Sequence, residues 1–268
     1  MMRENFPVKN TLLKDFIRDY WIVEFDGMEE SQEMIVPPMG FPVMHLHYGE
    51  ESNFYKHKHL TCQSVIIGQA TRHIIVYPSE KVRLIGVNFK PYGLYNLFGI
   101  SPGIVTNSAI ECHQIIENKK LNELTILLKN NRDKDTCILA VEQLLIEQRK
   151  NEIQTFRYLD SLVDRIEKEN GLLHTKTLLN NSISSRTLQR YFQKVIGVSP
   201  KSFCQILRHK FIMQQCYHNP DFQWNDIVLK GYYYDYSHFY KDFHHFSGHK
   251  PAGYLALKNQ YAADMLRV

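Results

Sequence analysis

The sequence has few of the features that mark secreted, membrane-spanning or disulfide-rich proteins. Its five cysteines are widely scattered and include no CxxC pair, which argues against a disulfide framework and a structural zinc site. The N-terminus lacks the apolar run of a secretory signal, and no stretch of about 18 uninterrupted apolar residues occurs. We therefore expect a cytoplasmic protein with no membrane partner.

Signatures of enzymes are also missing. The chain contains no Gly-rich phosphate loop, no nucleophile elbow, no HExxH helix and no convincing Cys/His nucleophile pattern. The sequence therefore predicts no catalytic residues, no cofactor and no enzymatic activity. The alternative hypothesis is a small-molecule-binding or enzymatic β-barrel joined to a helical protein-interaction module.

Two histidine pairs, His45/His47 and His57/His59, raise the question of a metal site. In a strand, side chains two positions apart share a face, as a metal site in a β-barrel requires. No carboxylate or third histidine is clearly placed to complete a set of ligands. We therefore predict no metal and interpret these residues as loop or partly buried histidines.

Positive charge is concentrated in the C-terminal part of the chain. Residues 1–150 carry 17 Lys and Arg against 18 Asp and Glu, whereas residues 151–268 carry 15 against 10, so the net charges are −1 and +5. Seven of the 13 histidines lie in the second part, where they can add positive charge beside a polyanion. This distribution favours a nucleic-acid partner.

The N-terminal part has the composition of a β-rich domain. Between Tyr20 and Leu97, short runs of β-branched and aromatic residues alternate with Gly and Pro, as in YWIVEF, VMHLHYG and VRLIGVNF. Such runs predict a small sandwich or barrel. Two helical patterns at about Cys112–Lys129 and Lys134–Glu147 predict a helical hairpin. The apolar face of the second helix, which includes Leu144, is either a dimerisation surface or ordinary core.

Beyond residue 150 the pattern is helical. The polar segment Gln148–Gln154 is the candidate linker. We therefore predict a β-rich sensor or dimerisation domain at 1–150 and an all-α domain of about seven helices at 151–268. The predicted fold class is α+β with two domains.

An internal repeat of 51 residues lies in the C-terminal part. It pairs Ser184 with Asp235, Leu188 with Phe239, Phe192 with Phe243, Gly197 with Gly248, Pro200 with Pro251 and Phe203 with Tyr254. The first pair are good helix N-caps, the glycines suit a left-handed helix end, and the prolines suit the first turn of a following helix. The sequence therefore specifies a helix, a stop and a second helix twice.

The outward face of each capped helix is polar or basic. On the first helix it comprises Ser185, Arg186, Gln189, Arg190 and Gln193, and on the second Tyr236, Ser237, Tyr240, Lys241 and His244. Such side chains hydrogen-bond base edges and phosphates, although a single face of this kind is more often solvated surface. Its duplication, with shorter helical elements at Thr175–Asn181 and Trp224–Lys230, favours two helix-turn-helix units joined by a long helix near Pro200–Tyr217.

The stretch from Thr155 to Tyr254 resembles the DNA-binding domain of the AraC/XylS transcription regulators, through SSRTLQRYFQKVIGVSPKSF in the first unit and SHFYKDFHHFSGHKP in the second. The resemblance implies seven helices, two of which enter successive major-groove segments on one side of promoter DNA. It places base and backbone contacts at Arg186, Gln189 and Arg190 in the first unit and at Ser237, Tyr240 and Lys241 in the second. The implied function is sequence-specific transcription regulation.

The N-terminal part resembles, more loosely, the β-rich sensor-like domains that precede this DNA-binding domain in some bacterial regulators, through RDYWIVEF, FPVMHLHYG, IIGQ and GVNFKPYGLYNLFG. The resemblance implies a small-molecule effector or a homodimer, with RNA polymerase as a partner if the protein is an activator. The aromatic residues Phe89, Tyr92, Tyr95 and Phe98 either line a pocket or, as we expect, pack in a core.

Three departures from the AraC/XylS pattern affect the predicted packing. Leu179 replaces a small residue, and Arg208-His-Lys replaces the common start of a helical turn. One additional residue separates Gly231 from Ser237 within a run of three tyrosines. We expect locally different packing, and the additional residue either re-aims the second recognition helix or is absorbed in the turn.

Overall fold

The computed structural model describes residues 2–26, 34–49, 64–76, 81–150, 157–179, 184–219 and 222–254. Strands dominate its N-terminal part and helices its C-terminal part, which confirms the predicted α+β fold class. None of the described helices is both long and apolar enough to cross a membrane. The predicted pair His57/His59 and most of the predicted linker lie outside the described residues.

The N-terminal part is built on an antiparallel sheet. Its strands are β1 (Met2–Phe6), β2 (Ile17–Asp26), β3 (Met34–Val36), β4 (Val43–His47), β5 (Ser64–Ile67), β6 (Ile74–Val76), β7 (Lys81–Phe89) and β8 (Ala109–Glu111). Six of them form one sheet in the order β1-β2-β7-β4-β5-β8, and β3 pairs with β6 separately. The predicted runs of β-branched and aromatic residues coincide with β2 to β7 and are confirmed.

The two edge strands, β1 and β8, lie outside the stretch that the sequence pattern predicts. β1 has the polar sequence MRENF and β8 has only three residues, AIE, so neither shows the apolar alternation on which such predictions depend. Backbone pairing with β2 and β5 holds them in the sheet. Charged residues are common in edge strands because they discourage pairing with other chains.

Both faces of the large sheet are buried. On one face, Ile22, Met44 and Val87 belong to an apolar core that also contains helix residues. Because successive side chains of a strand alternate, Trp21 and His45 lie on the opposite face, where their ring centroids are 5.2 Å apart. Burial on two faces explains why these strands are apolar along most of their length.

Helices follow the sheet. They are α1 (Gly93–Phe98), α2 (Asn118–Asn130) and α3 (Lys134–Glu147), with 3₁₀ turns at Pro102–Val105 and Cys112–Gln114. The helix predicted from Cys112 is therefore wrong at its start. Cys112 and Ile116 are both fully buried in the core, and Glu117 has a non-helical backbone with ψ 133°, so the α-helix begins only at Asn118.

Helix α3 has the predicted bounds, and its apolar stripe packs in the N-terminal core. Leu144 belongs to that core, so this face of α3 is ordinary core and not a dimerisation surface. That the protein forms a homodimer stays a prediction. Phe89 and Phe98 also lie in this core, whereas Tyr92 and Tyr95 pack among C-terminal helices. All four aromatic residues are therefore core residues.

His45 and His47 on β4 are buried, with ring centroids 6.3 Å apart. Burial lowers the pKa of His47 to about 4, and burial with the neighbouring His47 holds the pKa of His45 well below its usual value. Within the described ranges, no group of three metal-ligating side chains occurs. The absence of a metal stays a prediction.

The C-terminal part is helical. Its elements are α4 (Arg157–Lys168), a 3₁₀ turn (Thr175–Leu178), α5 (Ser185–Tyr191), a π-helical turn (Phe192–Ile196), α6 (Pro200–His218), α7 (Asp226–Leu229), α8 (Tyr236–Ser247) and α9 (Pro251–Tyr254). The 3₁₀ turn with α5 is called the first unit below, and α7 with α8 the second unit. Both short elements end earlier than predicted.

Helix α6 joins two apolar cores. Phe203 and Leu207, near its start, pack with residues of α5 in the core of the first unit. Ile212 and Met213, one to two turns later, pack with residues of α8 in the core of the second unit. The predicted arrangement of two units on one long helix is therefore confirmed.

Candidate nucleic-acid interface

The two predicted reading helices begin with the same side-chain cap. Ser184 Oγ accepts a hydrogen bond from the backbone N–H of Thr187 at 3.1 Å, and Asp235 Oδ1 accepts one from His238 N–H at 2.7 Å. Each cap satisfies a backbone donor that the first turn of a helix leaves unpaired. The 51-residue repeat in the sequence is thus a repeat in geometry.

Both helices are also followed by a glycine in the same backbone conformation. Gly197 has φ +91° and Gly248 has φ +74°, the left-handed conformation that favours glycine. Pro200 and Pro251 then occupy the first position of α6 and α9. The stop and restart expected from the sequence are present in each unit.

Each helix turns its apolar residues inward and its polar residues outward. Leu188 and Phe192 of the first unit are buried, as are their repeat partners Phe239 and Phe243. The predicted site residues Ser185, Arg186, Gln189, Arg190, Gln193, Ser237 and Lys241 are exposed, and Tyr240 is half-buried. The structure therefore gathers the predicted residues on one outward face of each helix.

The two reading helices differ in their last turns. Residues 236–247 form a continuous α-helix, whereas residues 185–196 change from α-helix to a π-helical turn at Phe192. The backbone N–H of Gly197 donates to the carbonyl of Phe192 at 2.8 Å, five residues back. Single π-helical turns are frequent at functional sites, and this one places Gln193 on a wider turn.

The N-terminal part binds the end of the first reading helix. Ser101 Oγ donates to the carbonyl of Lys194 at 2.9 Å, and Thr106 Oγ1 donates to the carbonyl of Gly197 at 2.8 Å. Carbonyl groups at a helix end lack partners within the helix, so these hydroxyls satisfy two of them. The backbones approach so closely that a Cβ on Gly197 would lie 2.9 Å from the carbonyl carbon of Pro102.

Helix α4 joins α1 to the first reading helix through carboxylates. Asp160 accepts hydrogen bonds from the hydroxyl of Tyr191 and, at 3.2 Å, from Asn96 Nδ2. Asp164 accepts one from the hydroxyl of Tyr92 at 2.9 Å. Burial raises the pKa of the Asp160 carboxyl, against the opposing effect of its hydrogen bonds. These contacts link the N-terminal part to the inward side of α5.

The second unit is organised around Arg208 and His209 of α6. The guanidinium of Arg208 lies over the ring of Tyr233 at 4.2 Å and 3.5 Å from a carboxylate oxygen of Asp242. His209 is buried between Phe243 and another aromatic of α8, and burial lowers its pKa to about 3. The sequence departure at residues 208–210 therefore has a specific role in packing.

The three tyrosines before α8 take different positions. Tyr233 is buried against Arg208, whereas Tyr234 is 92% exposed immediately before the cap Asp235. The cap Asp235 keeps its place in the repeat, and the added residue lies in the turn that precedes it. Leu179, the remaining departure, packs against the core of the first unit.

Comparisons with known proteins agree with this geometry. Residues 181–256 match the family described as "Helix-turn-helix domain", and residues 10–111 match a "Domain of unknown function (DUF6597)". No curated protein matches the chain.

Solved structures of ToxT from Vibrio cholerae are similar to the chain only distantly. One crystal form has 10% identity and a TM-score of 0.44, and covers 88% of this chain and 97% of ToxT. The form described as bound to unsaturated fatty acid has 12% identity and a TM-score of 0.45, and covers 95% and 97%.

Proposed function

We propose that the chain is a DNA-binding transcription regulator of the AraC type and that α5 and α8 read one operator together, since residues 181–256 match a helix-turn-helix family. The observation that carries the proposal is the pair of capped helices with buried apolar stripes and exposed polar faces. Two such helices can enter successive major-groove segments about one helical turn, roughly 34 Å, apart.

In the first unit, Arg186, Gln189 and Arg190 contact bases and the backbone, and Ser185 and Gln193 flank them. Arginine and glutamine suit this role because their side chains form paired hydrogen bonds with guanine and adenine edges. In the second unit the contacts come from Ser237, Tyr240 and Lys241. Asp242 does not repel DNA strongly, since Arg208 lies beside its carboxylate.

We assign regulation to the N-terminal part, with the domain boundary at 150/151. An effector changes DNA binding only if it binds one conformation better than another. The hydrogen bonds from Ser101 and Thr106 to the end of the first reading helix are the route by which such a difference reaches the DNA. A second copy of the chain, and RNA polymerase in the case of an activator, are the further partners of this proposal, in a cytoplasmic protein without enzymatic activity.

The experiment is capture of fragments of the source genome on the full-length protein at near-physiological salt. We expect enrichment of a few promoter-proximal fragments that share two short elements about one helical turn apart. Uniform weak recovery that disappears with modest salt would leave only non-specific phosphate binding and contradict the proposal.

Arg190→Ala tests the residue assignment on the captured operator. We expect a loss of about 1–3 kcal/mol in binding free energy, together with relaxed preference at one base pair. Arg165→Ala, which removes the same charge from an exposed position on α4, is the matched control. Equal effects of the two substitutions would contradict a base contact at Arg190.

A further inference from the structure

The two reading helices present different chemistry on their outward faces. In α5 the exposed residues Ser185, Gln189 and Arg190 all end in hydrogen-bonding groups. At the repeat positions of the first two, α8 carries the aromatic residues Tyr236 and Tyr240. The equivalence of the two helices in their caps and buried residues therefore does not extend to their outward faces.

Large apolar side chains are exposed around the start of α8. Three of the ten such side chains in the described part of the chain lie within residues 229–236, namely Leu229, Tyr234 and Tyr236. Helix α5, all of whose residues are described, has none. Because water disfavours exposed apolar surface, a local concentration of this kind marks an interaction site.

Tyr236 and Tyr240 together form what is called the aromatic face of α8 below. Side chains at i and i+4 share one face of a helix, and the centroids of the two rings are 6.5 Å apart. Tyr236 is 43% exposed and Tyr240 is half-buried, so both rings keep surface for a partner. The ring of Tyr236 also contacts the buried ring of Phe239, with centroids 5.6 Å apart. This contact restricts the Tyr236 ring and preorganises the aromatic face for binding.

The charges around the aromatic face suit duplex DNA as its partner. Lys241 lies next to this face in the sequence and is exposed. Both carboxylates of the α8 segment are engaged, since Asp235 caps the helix and Asp242 lies beside Arg208. Residues 151–268 carry a net charge of +5. An apolar face bordered by positive charge fits a DNA groove, in which phosphates flank the base edges.

Thymine is the base that suits an aromatic face in the major groove. Its 5-methyl group offers an apolar contact there, whereas guanine and adenine present the donors and acceptors that suit arginine and glutamine. The 6.5 Å between the ring centroids is comparable to two base steps of about 3.4 Å each. The two rings can therefore reach the methyl groups of thymines about two positions apart.

We propose that the aromatic face of α8 selects thymine in its operator element by contact with the 5-methyl groups, whereas α5 selects guanine and adenine through hydrogen bonds. Lys241 holds a neighbouring phosphate. This inference rests on the proposed function, because it needs an operator. It adds Tyr236 to the contacts of the second unit and names the base that this unit reads.

Operators in which deoxyuridine replaces thymine test the methyl contact on the unaltered chain, because deoxyuridine lacks only the 5-methyl group. The element whose base preference Arg190→Ala relaxes belongs to α5, and the other element belongs to α8. We expect each contacted thymine of the α8 element to lower affinity about fourfold when replaced, measured by fluorescence anisotropy, and replacements in the α5 element to change it little. An α8 element without thymine, unchanged affinity, or equal losses for both elements would overturn the proposal.

Two double variants separate the rings from their hydroxyl groups. The variant Tyr236→Ser, Tyr240→Gln gives α8 the residues of the first unit and should remove the difference in affinity between thymine and deoxyuridine operators. The variant Tyr236→Phe, Tyr240→Phe keeps both rings and should keep that difference. Retained base preference at the α5 element shows that each variant is folded. Loss of the difference in both variants, or its retention in both, would contradict recognition by the rings.

Failure of this inference is distinguishable from failure of the proposed function. If no operator is captured, the proposed function is wrong and the inference falls with it. If an operator with two elements is captured but its α8 element is insensitive to the methyl groups, the proposed function stands and only the selection of thymine is wrong.

Discussion

The first and second units carry residues of the same chemical type 51 positions apart, yet the N-terminal part contacts them in different ways. At the first unit, hydroxyls of Ser101 and Thr106 bind backbone carbonyls at the end of the reading helix. At the second unit, the apolar side chains of Met39 and Phe41 join the core. Both units pack against apolar side chains of the N-terminal part, but only at the first unit do side-chain hydroxyls of that part also bind the backbone at the end of the reading helix.

Equivalent substitutions in the apolar cores of the two units should lower the free energy of unfolding by similar amounts. Phe192→Ala and Phe243→Ala each remove a fully buried ring at equivalent repeat positions. We expect each to lower the free energy of unfolding by about 3–5 kcal/mol, measured by urea denaturation. Tyr234→Ala, at a 92% exposed ring, is the aromatic control and should change stability little. If only one of the two substitutions lowered the free energy of unfolding by this amount, the two units would not be equivalent in packing.

Acid should separate the units, because the second contains the buried His209. Burial holds its pKa near 3, so the unfolded chain takes up a proton near pH 6.5 while the folded chain does not. Its neutral form therefore contributes stability fully above about pH 6.5, and this stability is lost as pH falls towards about 3. Near pH 5 the loss amounts to about 2 kcal/mol relative to neutral pH.

The His209→Leu variant should lack that part of the pH dependence, as urea denaturation at both pH values can determine. His218→Leu, at an exposed histidine near the end of α6, is the control and should keep the dependence of the original chain. The same acid sensitivity in both variants would show that another group is responsible.

The glycines that end the two reading helices should respond unequally to a methyl group. Both have positive φ, so alanine costs about 1–2 kcal/mol of backbone strain at either position. At Gly197 the added Cβ would also meet the backbone of Pro102 at 2.9 Å, whereas at Gly248 it would meet the side chain of His73 at 2.7 Å. Since a side chain can rotate away, we expect Gly197→Ala to be the more destabilising in thermal denaturation. The opposite order would contradict the close packing of the first unit.

The smallest expected effect concerns the hydroxyl contacts of the first unit. Thr106→Val removes the hydrogen bond to the Gly197 carbonyl and should lower stability by about 0.5–1.5 kcal/mol. It should also change affinity for the operator element read by α5 more than for the element read by α8. Thr125→Val removes a comparable hydrogen bond within α2 and is the control. Equal changes in affinity for both operator elements would show that the contact from Thr106 does not act on DNA binding through α5.

Much of the fold and of the candidate interface could be predicted from the sequence. Caps such as Ser184, terminal glycines such as Gly197 and i, i+4 apolar pairs act within one or two helical turns, so their meaning depends on neighbouring residues alone. The same holds for the strands β2 to β7, whose runs of β-branched and aromatic residues mark them.

Other features depend on partners that are distant in the chain. The edge strands β1 and β8 exist because β2 and β5 offer them backbone groups, and the helix expected at Cys112 is interrupted because Cys112 and Ile116 are drawn into the core. No local sequence pattern predicts the edge strands or the interrupted helix, since the contacts that stabilise them come from residues distant in the chain.

The sequence by itself determined that one capped, amphipathic reading helix occurs in each half of a repeat, and which of its residues face outward. Only the tertiary structure decided how the ends of those helices are held and that Arg208 and His209 organise the second unit. The reason is physical: helix caps and periodicity are short-range, whereas hydrogen bonds, burial and charge clusters join residues that folding alone brings together.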